Sequence, residues 1–94
     1  MFVGALAFDL HIPHARSLKA KRAVVRPLIE GIRNRYSCAV AEVDYHDLWQ
    51  RAEIGVAVVS ATFGHAGDML DEVERYVWSI PDIEIGGVRR SWLD

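Results

Sequence analysis

An α+β fold with elements in the order βαββαβ is predicted by three observations on the sequence. Apolar residues alternate at period two over residues 2–12, they recur at helical spacing over 18–36 and 66–77, and they form short β-branched runs at 38–43 and 54–60. In the first strand the even positions Phe2, Leu6, Phe8, Leu10 and Ile12 are large and apolar, whereas Val3, Ala5, Ala7, Asp9 and His11 are small or polar, so one face is buried. Pro13 ends it.

Ser17 stands at an N-cap position, and Leu18, Val24, Val25, Leu28, Ile29, Ile32 and Tyr36 mark a first helix over about 18–36. Pro27 removes one backbone donor within it, which predicts one helix bent near Ala23 rather than two, because the apolar stripe keeps its phase. After the two short strands, Ala66, Met69, Leu70, Val73 and Val77 mark a second helix that carries Asp68, Asp71, Glu72 and Glu74 on its outward side. Pro81 and Asp82 break it, and residues 83–93 supply a last strand in which Gly86-Gly87 predicts a bulge or bend.

This order is the split βαβ arrangement: a ferredoxin-like sandwich in which two right-handed crossovers place both helices on one face of a four-stranded antiparallel sheet. The other face is left bare, with Ala5, Ala7, Gly55 and Ala57 near its centre, which admits a homodimer through that open face and, as the alternative to a nucleic-acid role, a dimeric small-molecule-binding or protein-interaction module.

The 94 residues form a single domain, half apolar and about a quarter charged, the composition of a folded soluble protein. The apolar runs are strand-sized and the N-terminus carries no secretory leader, so the sequence predicts no membrane partner and a cytoplasmic setting. Cys38 is the single cysteine, which excludes an internal disulfide, a zinc ribbon and a four-thiolate iron-sulfur cluster; no cofactor is expected.

Charge is unevenly distributed. Of eleven Lys and Arg residues, Arg16, Lys19, Lys21, Arg22, Arg26, Arg33 and Arg35 fall in or just before the first helix, where only Glu30 opposes them. Such clustering suits phosphate, with RNA the natural ligand; solvated side chains covering apolar neighbours are the competing explanation. Stacking of bases on the open sheet, as in RNA-recognition motifs, is disfavoured because the bare positions Val3, Ala5, Ala7, Gly55, Ala57 and Val59 contain no aromatic residue.

The connection over residues 44–51 gathers Asp44, Tyr45, His46, Asp47, Trp49, Gln50 and Arg51 without the Asn-Gly type of pair that makes a tight hairpin easy, so it is ordered by its side chains or by a partner. Two readings stand side by side. Trp49 and Tyr45 can stack on bases, with Gln50 and Arg51 at edges or phosphate, although Asp44 and Asp47 repel a polyanion unless Arg51 pairs with one of them. Alternatively Trp49 plugs the end of the core and an Asp–Arg pair pins the hairpin. A metal-dependent enzyme built on Asp44, His46 and Asp47, with His11 and His14 as further ligands, is a third possibility. It lacks a nucleophile elbow or phosphate loop, and no catalytic residue is assigned.

The segments IPHARSLKAKR, residues 12–22, and VAEVDYHDLWQRAEIGVAVVS, residues 40–60, resemble the two signature blocks of the bacterial YlxP-like family, and the likeness covers nearly the whole chain. The resemblance implies a ferredoxin-like fold and, through a gene neighbourhood of transcription-termination, translation-initiation and ribosome-maturation factors, a link to RNA or ribosomes. It implies no catalytic residue. Family members often carry an acid where this chain has Ala20, which removes the reciprocal half of a capping box with Ser17.

Overall fold

A computed structural model describes residues 1–93. Its elements are β1 (Phe2–His11), α1 (Leu18–Arg35), β2 (Ala39–Asp44), β3 (Arg51–Ser60), α2 (Phe63–Trp78) and β4 (Glu84–Leu93). They form one antiparallel sheet in the order β2-β3-β1-β4, with both helices on one face: a ferredoxin-like α+β sandwich.

The core lies between that face and the helices. Leu6, Phe8 and Leu10 of β1 and Ala52, Ile54, Val56 and Val58 of β3 are buried, as the period-two pattern of each strand dictates. Against them α1 buries Val25, Leu28 and Ile32, and α2 buries Ala66, Leu70, Val73 and Val77.

Both helices start on a side-chain cap: Ser17 Oγ accepts from Ala20 N at 3.0 Å and Thr62 Oγ1 from His65 N at 3.2 Å. α1 continues unbroken through Pro27, whose missing N–H leaves the carbonyl of solvent-exposed Ala23 without its helical donor. Where the sheet meets α2, a Cβ built on Gly4 would come within 2.8 Å of Leu70 Cδ1, so glycine there permits the close approach of strand and helix.

Two registers are interrupted. Asp9 faces Gly87 and Leu10 faces Ile85, which leaves Gly86 as the extra residue of β4 and confirms the glycine pair as a bulge. In β2, Val43 is extra between Glu42 and Asp44. β3 also begins at Arg51, three residues before the apolar run in the sequence; those residues pair with β1 as His11↔Arg51, Leu10↔Ala52 and Asp9↔Glu53. The connection between β2 and β3 is shorter by that extension.

Candidate nucleic-acid interface

The basic residues of α1 divide by direction. A helix advances 100° per residue, so Lys21 shares the stripe of Val25, Leu28 and Ile32 whereas Lys19, Arg22 and Arg26 lie on the far side. Lys21 is accordingly only 2% exposed, and its ammonium sits 2.8 Å from Glu42 Oε2 and donates to the Tyr45 carbonyl at 2.7 Å. Without that ammonium, Glu42 Oε2 would be a buried oxygen with no partner. Lys21 was expected on the phosphate-binding face; it is instead an internal tie between α1, β2 and the turn that follows.

Arg33 is also engaged. Its guanidinium contacts Glu30 Oε1 at 3.0 Å and donates to the Val40 carbonyl at 3.1 Å, while Arg35 stacks 4.8 Å above the Tyr76 ring. Arg16 donates to the carbonyl of Pro13 at 3.1 Å but remains exposed. Lys19, Arg22 and Arg26 are exposed, form no ion pair among the described residues, and line a shallow depression of about 430 Å³ with Ala23 and Pro27. Seven cations in the sequence thus reduce to three fully available ones, with Arg16 at their N-terminal side.

The β2–β3 connection is ordered from within. Tyr45 takes a left-handed backbone, φ 62°, a conformation that costs a non-glycine residue about 1 kcal/mol or more. It is held there on every side: its N–H donates to Asp44 Oδ1 at 2.7 Å, its carbonyl accepts from Lys21 Nζ and from Leu48 N, and Arg51 lies 4.0 Å over its ring. Arg51 pairs not with Asp44 or Asp47 but with Asp9 of β1, through two hydrogen bonds of 3.1 and 3.0 Å. Those bonds, above all, hold the Asp9 carboxyl below its ordinary value of 3.8, against a smaller opposing effect of burial.

Gln50 reaches across to the β1–α1 loop, where its amide nitrogen donates to the carbonyls of Pro13 and Ala15 at 3.3 and 3.0 Å. His46 Nε2 contacts the Glu42 carbonyl at 3.1 Å. Trp49 does not plug the core: it is 52% exposed, beside an equally exposed Leu48. Asp47 is exposed next to them. The hairpin is pinned by Arg51 to Asp9 of β1, and the Trp49 indole stays exposed.

His11 lies 3.5 Å from Glu84, and His14 is exposed. No group of three or more His, Cys, Asp or Glu side chains is gathered to hold a metal ion among the described residues. Burial pushes the Cys38 thiol up, partly offset by Arg33. No helix among the described residues is long and apolar enough to cross a membrane.

Sequence reasoning missed Asp9 and Glu42, the two acids that position Arg51 and Lys21. Glu42 had a signal, since Lys21 falls in phase with the apolar stripe and needs a buried partner. Asp9 had none, because its pairing depends on the register of β1 against β3.

Fold and surface together define a small ferredoxin-like α+β protein with one basic helix flank and an exposed aromatic turn. Residues 3–90 match the family described as "Protein of unknown function (DUF503)". The chain is 32% identical over 91 residues to "Uncharacterized protein YlxP" of Bacillus subtilis (strain 168), covering 97% of this chain and 99% of that protein. It belongs to this YlxP-like family.

Proposed function

We propose that this protein is a non-catalytic RNA- or ribosome-associated factor of the cytoplasm that holds phosphate backbone with Lys19, Arg22 and Arg26, aided by Arg16. The observation that carries the reading is the presence of three exposed cations on one flank of α1 without an acid partner among the described residues. A helix rises 1.5 Å per residue, so Lys19, Arg22 and Arg26 are staggered over about 10 Å along the axis of one flank. Neutralising about three of them predicts a log affinity that falls with log salt at a slope of roughly 2 to 3.

Filter binding of structured ribosomal RNA across a salt series tests this. Changing Lys19, Arg22 and Arg26 together to Glu is expected to weaken binding at least tenfold and to leave folding intact, since these side chains are exposed and form no ion pair among the described residues. Unaltered binding by the charge-reversed protein overturns the reading.

A second reading, association of two copies through the open sheet face, is favoured by one feature. Ala5, Ala7, Ala39, Ala41, Gly55 and Ala57 line an apolar concavity of about 390 Å³ on that face. The molecule's outline of 42 by 22 Å is large enough for the roughly 800 Å² per partner that a stable interface buries. Light scattering decides it: a mass that stays at 10.6 kDa with rising concentration removes the dimer.

A further inference from the structure

We infer that the RNA bound by this surface carries an unpaired base beside a stretch of backbone, and that the base stacks on Trp49. The inference rests on the RNA reading above and adds a ligand class to it. Antiparallel topology places the end of β1, the start of α1 and the β2–β3 turn at the same end of the molecule. Side chains close the gap between them: Gln50 Nε2 and Arg16 Nη1 both donate to the one carbonyl of Pro13, so the residue next to Trp49 and a phosphate-binding cation converge on a single atom.

The other members of the turn that were suited to nucleic acid are already occupied. Arg51 covers the Tyr45 ring and is itself held by Asp9, and the Gln50 amide nitrogen is bonded to the β1–α1 loop. Among these turn residues Trp49 combines a broad π surface, half exposed, with flanking residues Leu48 and Gln50 whose backbone groups are hydrogen-bonded. Base–aromatic stacking is tolerant of sequence and gains from such preorganisation.

Asp47 sharpens the assignment. A carboxylate beside the indole repels phosphate, which leaves the tip of the turn to an uncharged base and the flank of α1 to the backbone. An exposed Trp with an exposed Leu also suits a protein contact, and the experiment separates the two.

Fluorescence anisotropy with a short blunt RNA duplex, and with the same duplex bearing a single-stranded overhang, is the test. The parent protein is expected to bind the overhang RNA about tenfold more tightly than the blunt one. Trp49→Ala erases that preference with blunt-duplex affinity unchanged, Trp49→Phe keeps most of it, and Asp47→Asn shrinks it by letting duplex backbone approach the turn. Equal affinity of the parent for both RNAs overturns the inference and leaves the basic-flank reading standing. So does a Trp49→Ala protein that keeps the preference, which removes the indole from the RNA contact. If neither RNA binds, the RNA reading itself fails and this inference falls with it.

Discussion

α1 and α2 are built on the same template and treat their charges in opposite ways. Each buries residues at the fourth, eighth, eleventh and fifteenth positions after its cap: Lys21, Val25, Leu28 and Ile32 after Ser17, and Ala66, Leu70, Val73 and Val77 after Thr62. At the first of these, α2 has a fully buried alanine and α1 a buried lysine tied to Glu42 and to the Tyr45 carbonyl. On the outer sides the contrast reverses. Asp71 and Glu74 of α2 are met by Arg90 of β4 at 2.8 and 3.7 Å, whereas Lys19, Arg22 and Arg26 of α1 meet no acid among the described residues. On α2 two of the four outward acids, Asp71 and Glu74, are met by the fold. Of the six cations of α1, Lys21 is an internal tie, Arg33 and Arg35 are engaged by Glu30 and the Tyr76 ring, and Lys19, Arg22 and Arg26 stay exposed without an acid among the described residues.

The strongest way to break this comparison is to transplant the lysine. Ala66→Lys places an ammonium in a fully buried site with no counterpart of Glu42, and it is expected to destabilise the protein by more than about 4 kcal/mol, or to prevent folding altogether. A protein that unfolds within about 1 kcal/mol of the parent in urea would show that the two positions are equivalent after all.

Next in size is the removal of the tie. Lys21→Met leaves Glu42 with a buried, unpartnered carboxylate oxygen and should cost about 3 kcal/mol, while the double change with Glu42→Leu recovers most of the loss, because two apolar side chains fill the same space without stranding a charge. Urea unfolding of the three proteins reads both numbers. Equal losses in the single and double variants would assign the effect to packing rather than to the pair.

The smallest effect concerns Asp9, whose depressed carboxyl pKa comes first from its hydrogen bonds to Arg51. A carboxylate held below its ordinary value stabilises the fold above that value, and the contribution is lost as pH falls through the folded-state value, below 3.8 here. With the side chain 40% exposed, solvent screening limits the gain to less than about 1 kcal/mol. Unfolding midpoints followed from about pH 6 down to about pH 3 should therefore fall more steeply for the parent than for Asp9→Asn. Parallel curves would remove Asp9 as a source of acid sensitivity.

The fold was legible in the sequence where burial alone decides side-chain choice. Leu6, Phe8 and Leu10 announce a strand, and the spacing of Leu70, Val73 and Val77 announces a helix, because water excludes these side chains from any other direction. The candidate site was half legible. Grouping the cations by number singled out α1 but missed that Lys21 shares the phase of Val25, Leu28 and Ile32, a phase that a buried ion pair satisfies. The start of β3 was hidden because Arg51 and Glu53 alternate with Ala52 and Ile54, so its solvent side masks a strand that register alone reveals. The exposure of Trp49 was beyond reach too, since it follows from Gln50 bonding to the Pro13 and Ala15 carbonyls, contacts separated by 37 and 35 residues.

The interruptions at Val43 and Gly86 fall on β2 and β4, the two outermost strands. Each bends its rim away from a straight line of free peptide groups, so a neighbouring polypeptide finds no continuous ladder on which to zip. Both rims of the sheet are thereby made poor templates for edge-to-edge growth.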